Sequence, residues 1–292
     1  MRYHLSKNNF LSICLSLCLT ILPLSAQSCT LYAATGQDYV AGGGTLVAKN
    51  RDYKALGSQT LEQVNPSQGY RYYKLTGVIH NNDRITVCGI NEQGLYVGNS
   101  VAGGVDQELK NEAYYFRDND NLNLTEHLLC YYATVDEALA REDIFKGVSN
   151  LILADRTKIA IVELLPDGTH SIQTTQNGIL YHTNHYVTPE GSTFNKKIGL
   201  SSSRRYYRIG ELLNNSTKPL CLQDFIKFSE DQAFDRDTSI YRLGRTPQSI
   251  QTLAVFIAHI PPAGSPDLYI KYRVHPNEQG QEKIVGPERY SF

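Results

Sequence analysis

The chain has 292 residues and a formal net charge of −1, with 28 Lys and Arg against 29 Asp and Glu. Its basic residues are scattered along the sequence, which argues against a nucleic-acid-binding protein. Only four cysteines follow residue 28, too few for a disulfide-rich scaffold, so we expect the fold to be stabilised by packing. Among them, Cys88 and Cys130 lie in apolar surroundings and are expected to be buried thiols.

The first 28 residues have the organisation of a secretory signal peptide. Two basic residues near the start precede an uncharged apolar stretch at 10–24. Ala26 and Ser28 then place small residues at positions −3 and −1 of a signal-peptidase site. The apolar stretch is too short to span a membrane, and no later run approaches about 20 apolar residues. We therefore expect an exported protein, periplasmic or secreted, that signal peptidase cuts to leave Cys29 first.

Cys29 has three interpretations at this point. As the first residue of a mature chain, it would carry a thiol and a free α-amine together, which is enough to start amide-bond chemistry. It could instead be the acylated cysteine of a lipoprotein, although such signals normally have Leu at −3, where this chain has Ala26. It could also be a structural cysteine.

The rest of the chain predicts a β-rich domain with a few helices. The predicted strands are, in chain order, 30–35, 45–48, 70–78, 84–90, 95–99, 150–154, 159–164, 169–174, 178–183, 252–259 and 268–274. The predicted helices are 124–142, with a second start at a capping box that begins at Thr134, then 201–213 and 222–228. No repeat or linker divides the chain, so we expect one α+β domain over 29–292.

Amide hydrolysis at Cys29 needs further groups, and candidates follow the predicted first hairpin. The α-amine, with an ordinary pKa of about 7.7–8.0, can take the thiol proton. A carboxylate must hold that amine and a cation must lie near the sulfur; Asp52, Lys49 and Arg51 end the second strand of the hairpin. The oxyanion of the tetrahedral intermediate needs neutral donors, and Asn99 and Asn184 each close a predicted strand.

Five motifs in this order resemble a known family. They are Cys29-Thr30, KNRDY at 49–53, INEQGLYVGNS at 90–100, HTNHY at 182–186 and SSSRRYYR at 201–208. Together they are similar to the choloylglycine hydrolase and penicillin V acylase family of N-terminal-nucleophile hydrolases, and to the related acid ceramidase and isopenicillin N acyltransferase group. The resemblance implies a four-layer αββα sandwich of antiparallel sheets.

The resemblance also implies a role for each matching residue. Cys29 would be the nucleophile, with its own amine as the base, and Asp52 would hold that amine. Asn184 matches an oxyanion-hole asparagine, and Asn99 is the nearest match to a second one. Arg205 matches the family's helix arginine near the nucleophile.

One motif departs from the family pattern, which has Arg-Asn-x-Asp where this chain has Lys49-Asn50-Arg51-Asp52. Lys49 keeps the spacing to the aspartate, but as a point charge it lacks the bidentate fork of arginine. Arg51 could take over instead. Strand alternation puts both cations on one face, opposite Asn50 and Asp52, so it does not choose between them.

Each candidate also has an ordinary structural explanation. Asp52 and the two asparagines could be turn residues, and Arg205 could be a surface arginine. His182 and His185 have an H-x-x-H spacing, but on a strand they would point to opposite faces, so we expect no zinc site. A papain-like pair of Cys29 with one of these histidines is an alternative. Such a pair does not require the cysteine to lie at the cleavage site.

The sequence thus predicts an exported amidase that hydrolyses a linear N-acyl amide, of the bile-salt, penicillin V or another type, through a thioester on Cys29. The alternatives are an acyltransferase that uses the same acyl-enzyme and a non-enzymatic lipoprotein acylated at Cys29. We expect a small-molecule substrate and no metal or other cofactor, and the sequence leaves a homo-oligomer open. The loops at 53–68 and 103–117 are expected to line the pocket.

Overall fold

The computed structural model of the chain describes residues 28–55, 57–78, 83–274 and 282–289. The apolar stretch at 10–24 and the small residue Ala26 lie outside the described residues. Within the described ranges, no helix combines the length and the apolar character needed to cross a membrane.

Thirteen strands are described, and the helices between them are short except for one. The strands are β1 (Ser28–Thr35), β2 (Thr45–Lys54), β3 (Gln59–Val64), β4 (Tyr72–Val78), β5 (Arg84–Asn91), β6 (Tyr96–Val101), β7 (Ser149–Ala154), β8 (Ile159–Leu164), β9 (His170–Thr175), β10 (Gly178–His182), β11 (Ile250–Ile260), β12 (Asp267–Tyr272) and β13 (Lys283–Arg289). The helices are α1 (Gln107–Glu112), α2 (Leu124–Tyr131), α3 (Val135–Leu139), α4 (Pro189–Ser192), α5 (Leu200–Asn215) and α6 (Leu222–Ser229).

The strands form two antiparallel sheets. The first has the order β10-β1-β2-β11-β12-β13, and the second runs from β3 to β9 in sequence order. Consecutive strands pair in the second sheet, through short connections except between β6 and β7, where residues 102–148 include α1, α2 and α3. The first sheet instead unites strands that are distant in sequence.

Alternating residues of β1 show how the layers pack. Leu31 and Ala33 enter the core between the two sheets, and Tyr32 and Ala34 enter a second core against α5 and α6. A third core lies between the second sheet and α2 and α3. The layers therefore run helix, sheet, sheet, helix, which confirms the expected αββα sandwich and explains why β1 is apolar on both faces.

Most predicted elements are present, and the structure adds β3, β13, α1 and α4, which the sequence pattern did not predict. Residues 59–64 form the edge strand β3 and residues 107–112 form α1, each inside a segment predicted as a loop. Their sequences are polar and only weakly periodic, so pattern alone gives little signal. The helical region at 124–142 divides because Tyr132 is extended, and Thr134 then accepts a hydrogen bond from Glu137 N. The expected burial of Cys88 and Cys130 is confirmed.

Candidate active site

The register of the first hairpin places the start of β1 beside the charged end of β2. Ser28 pairs with Asp52, and Cys29 pairs with Arg51. Directly opposed side chains of antiparallel strands lie on the same face, so Cys29 and Arg51 point between the two sheets. Asp52 points to the helical layer. The predicted approach of this strand end to Cys29 is confirmed.

The backbone of Cys29 is held on both sides by side chains from distant parts of the chain. Its N–H donates to Asn184 Oδ1 at 2.8 Å, and its carbonyl accepts from Arg205 Nη1 at 2.5 Å. Arg205 Nη2 donates to the same Asn184 Oδ1 at 2.9 Å. These three residues therefore form one connected group around a cysteine that is only 5 % exposed.

Arg205 projects from α5 and is completely buried. Besides Cys29 and Asn184, its guanidinium donates to Thr30 Oγ1 at 3.0 Å and to Ser201 Oγ at 3.3 Å. Burial lowers its pKa to about 10, and the opposing charge of Asp52 limits that fall. Arg205 thus stays a cation near neutral pH, and it is not the surface arginine of the alternative explanation.

Asp52 is fully buried, with one carboxylate oxygen engaged and the other available. Oδ1 accepts from Thr252 Oγ1 at 2.8 Å, and Oδ2 has no hydrogen-bond partner among the described residues. Burial raises the pKa of Asp52, while the positive charges of Arg205 and Arg242 lower it. The nitrogen of Cys29 is an amide here, because Ser28 precedes it, and its single hydrogen goes to Asn184.

Lys49 and Arg51, the two cations of the motif at 49–52, lie close to Cys29, on the face that strand alternation predicted. Lys49 Nζ donates to the carbonyl of Val87 at 2.8 Å and also to that of Asn99. Arg51 donates from Nε to Gln59 Oε1 at 2.6 Å and from Nη2 to Val78 O at 3.0 Å. Burial lowers the pKa of each cation, and negative charge on the Cys29 sulfur opposes that shift.

Asn99 has a different environment from the one that its motif suggested. Its side-chain amide donates to Thr125 Oγ1 at 2.9 Å and to Thr86 O at 3.3 Å, and its Oδ1 accepts from Lys49. These contacts place it against α2, on the outer side of the second sheet, rather than with Cys29 or Asn184. The next residue, Ser100, faces inward instead, because successive strand residues alternate between faces.

A network that the sequence did not predict holds the loop that carries Asn184. Glu163 on β8 is buried and accepts from His182 Nε2 at 2.8 Å, from Val187 N at 2.5 Å and from Thr188 Oγ1 at 2.5 Å. Burial raises the pKa of Glu163, but these hydrogen bonds outweigh it and bring the pKa below its usual value. A buried acid in an otherwise apolar strand, IAIVEL, was the available signal.

Ser202 on α5 holds the same loop from the other side. Its hydroxyl oxygen accepts from Asn184 N at 2.9 Å and lies 2.8 Å from His185 Nδ1 and 3.0 Å from Thr183 Oγ1. Burial lowers the pKa of His185 to about 4, so the ring is neutral near pH 7 and can accept the Ser202 hydroxyl hydrogen.

The two histidines of the H-x-x-H spacing therefore support the loop separately. His182 faces Glu163 and His185 faces Ser202. Within the described ranges, no group of three or more His, Cys, Asp or Glu residues could hold a metal ion.

A cavity of about 580 Å³ opens beside Ser28, the residue that precedes Cys29. Its wall includes Ser28, Asn184, Ser202 and residues 103–107, together with Lys196 and Lys197. The predicted pocket segment 103–117 contributes its first part, whereas none of the described residues of segment 53–68 lines this cavity. Much of 59–64 is paired at the edge of the second sheet, which keeps it away from this cavity.

Solved structures share this fold. Two crystal structures of variants of conjugated bile acid hydrolase from Clostridium perfringens give TM-scores of 0.59 and 0.57, each at 13 % identity, with 90 % of this chain and 97 % of that chain covered. Penicillin V acylase from Agrobacterium tumefaciens gives 0.52 at 18 % identity, covering 90 % and 99 % of the two chains. The fold is that of the N-terminal-nucleophile hydrolases.

The family is shown by the sequence. A family model described as acyl-coenzyme A:6-aminopenicillanic acid acyl-transferase matches residues 40–264, most of the chain, and the protein belongs to that family. The match includes Asp52, Asn184 and Arg205 and begins after Cys29. No curated protein sequence matches the chain. Family and fold together confirm the predicted resemblance and the expected class, enzymes that act on carbon–nitrogen bonds other than peptide bonds.

Proposed function

We propose that the protein is exported, loses residues 1–28, and hydrolyses a linear N-acyl amide through a thioester on Cys29. The observation that carries this proposal is the group around Cys29. Asn184 binds its nitrogen, Arg205 binds its carbonyl, and Asp52 on the neighbouring strand has one carboxylate oxygen without a partner in the described part of the chain. The first 28 residues, with their apolar stretch and small residues at −3 and −1, support removal by signal peptidase.

Removal of Ser28 would turn the Cys29 amide into an amine that has more hydrogens to donate. One N–H can keep the bond to Asn184 Oδ1, and another can reach for Asp52 Oδ2, the acceptor that has no partner among the residues that the structure describes. Such an amine has an ordinary pKa of about 7.7–8.0 and can accept the thiol proton at neutral pH. In this proposal, maturation creates the catalytic base.

The reaction then proceeds in two steps. The sulfur attacks the acyl carbon while its proton moves to the α-amine, and the tetrahedral oxyanion is stabilised by neutral donors, for which we propose Asn184 Nδ2. The carbon–nitrogen bond breaks as the ammonium returns its proton to the leaving nitrogen, which leaves a thioester on Cys29. Water attacks that thioester, its proton passes through the amine to sulfur, and the free acid and thiol are released.

Acyl transfer is the second candidate, because the matching family model describes an acyltransferase. The thioester on Cys29 is the same in both reactions. An amine attacks it in place of water, and an amide is formed instead of an acid.

The test is a panel of N-acyl substrates assayed on the mature protein with Cys29→Ala and Cys29→Ser as matched variants. The panel contains a glycine-conjugated bile salt, penicillin V and an N-acyl homoserine lactone, each with and without an added amine as acyl acceptor. We expect the wild type to release acid or form a new amide, with an acyl adduct on Cys29 after acid quenching. Cys29→Ala should lose all turnover and keep the wild-type circular dichroism spectrum.

Two results would contradict the proposal. The first is full activity in Cys29→Ala. The second is a diacylglyceryl adduct on Cys29 in the intact mass of the exported protein, which would support the lipoprotein alternative.

A further inference from the structure

Arg242 is a buried arginine whose side chain has no hydrogen bond to the described part of the chain. It lies between α6 and β11 and is 5 % exposed. Its Nε and Nη1 atoms are buried and have no partner among the described residues. Burying a guanidinium costs free energy unless a nearby negative charge compensates it.

Thr252 connects the backbone of Arg242 to the carboxylate of Asp52, whose pKa the charge of Arg242 lowers. Thr252 N donates to Arg242 O at 2.9 Å, and Arg242 N donates to Thr252 Oγ1 at 2.8 Å. The same Thr252 hydroxyl donates its hydrogen to Asp52 Oδ1 at 2.8 Å. The backbone of Arg242 thereby fixes the hydroxyl that orients the carboxylate.

We propose that Arg242 is a positioning residue for Asp52. Through Thr252 its backbone orients the carboxylate, and its charge favours the ionised form, so that Asp52 Oδ2 can hold the α-amine of Cys29. This inference rests on the proposed function, in which Asp52 holds that amine.

The other cations near Asp52 are already engaged. Charged groups reach Asp52 from α5 (Arg205), from the segment before β11 (Arg242) and from its own strand (Arg51 and Lys49). Arg205 binds the Cys29 backbone, and Arg51 and Lys49 point to the opposite face of β2 and bind groups there. Arg242 is the cation on the Asp52 face with no competing hydrogen bond in the described ranges.

The positive charge of Arg242 affects the pH dependence of activity through the pKa of Asp52. Burial raises the pKa of Asp52, and Arg205 and Arg242 lower it. Removing the charge of Arg242 raises the pKa further, so Asp52 stays protonated to a higher pH and no longer holds a protonated amine. The acid limb of the activity profile should therefore move upward in pH, and activity should recover on the alkaline side.

The experiment compares Arg242→Gln with Arg242→Lys in the mature protein. The measured quantities are kcat/KM against pH and, in parallel, the pH dependence of Cys29 alkylation by iodoacetamide, followed on the Cys29 peptide by mass spectrometry. We expect Arg242→Gln to move the acid limb of both profiles upward by about one pH unit, because an opposite charge nearby shifts a carboxyl pKa by 1–3 units. Arg242→Lys, which keeps the positive charge, should bring the acid limb most of the way back to its wild-type pH.

Two further variants test the same coupling between Arg242 and Asp52. Thr252→Val removes the hydroxyl at nearly constant volume and should shift the acid limb in the same direction, which covers the case in which Arg242→Gln does not fold. Arg204→Gln, on the exposed side of α5, is the matched control and should leave the profile unchanged. An acid limb at the wild-type pH in Arg242→Gln, or in Thr252→Val if only that variant folds, would overturn the inference. A wild type that turns over no amide would count against the proposed function instead, and the alkylation profile would still test the coupling of Arg242 to Asp52.

Discussion

Among single residues, Lys49 shows how the structure accommodates a lysine where the family pattern has an arginine. β5 and β6 pair only as far as Cys88 and Gly98, and beyond that point the Lys49 ammonium binds the carbonyls of Val87 and Asn99. An ammonium with three rotatable donors suits such a gap, whereas the neighbouring Arg51 uses its planar fork on Gln59 and Val78. Each cation thus has its own structural task, and both lie within electrostatic range of the Cys29 sulfur.

Glu163 is the buried carboxylate that holds the loop carrying Asn184. Its folded-state pKa lies below its usual value, so the stabilisation it gives is present above the unfolded pKa of about 4.3 and is lost as pH falls through the folded pKa. We expect Glu163→Gln to cost about 1–3 kcal/mol at neutral pH, because an amide presents donors to the N–H groups of the loop. It should also flatten the fall in melting temperature below pH 4.3.

Thermal unfolding between pH 3 and pH 7 checks this prediction. Glu190→Gln, on the exposed surface of α4, is the control and should follow the wild type. A wild-type acid slope in Glu163→Gln would show that the network around Asn184 does not depend on this charge.

Among the elements, α5 links Cys29 to the loop that carries Asn184. Ser202 and Arg205 are three residues apart and therefore lie on one face of the helix, where the first holds Asn184 N and the second holds Asn184 Oδ1 and Cys29 O. Ser202 and Arg205 are thus buried against the site, while Tyr207 on the other side is exposed. A change in this helix should act on the asparagine and the cysteine together.

We therefore expect Ser202→Ala to reduce both stability and kcat. Asn184 N would lose its acceptor in a buried position, at a cost of about 1–3 kcal/mol, and the amide of Asn184 would lose its orientation. Ser203→Ala, one residue further along the helix, is the matched control because the Ser203 hydroxyl makes no described hydrogen bond. Chemical denaturation and steady-state kinetics of the two variants check the prediction. Equal behaviour of the two would contradict it.

In the whole molecule, the predicted cleavage bond lies inside a folded sheet. Ser28 is the first residue of β1, is 6 % exposed and pairs with Asp52. A peptidase needs an accessible, extended substrate, so in the proposed maturation the bond after Ser28 must be cut before β1 joins its sheet. Export and activation would then be a single event.

This leads to a prediction about the uncut chain. Ala26→Arg puts a large charged residue at −3 and should block cleavage, which leaves the Cys29 nitrogen as an amide without basic character. We expect kcat/KM to fall at least about 10²-fold, the lower range of a general base's contribution. Ala26→Ser, which keeps a small residue, should be cut and active. Intact mass and kinetics of the purified proteins check both, and an active uncut Ala26→Arg chain would disprove the requirement for a free amine.

By itself, the sequence determined most of the strands, the first hairpin, the helices α5 and α6, and the motifs that identify the family. Those features depend on contacts near in sequence, such as the hairpin that brings Asp52 toward Cys29. Tertiary structure decided which motif residues meet: Asn184 and Arg205 reach Cys29 across 155 and 176 residues, and Asn99 faces α2 instead. It also revealed Glu163, Ser202 and Arg242, because a buried polar side chain takes its role from partners that no local pattern encodes.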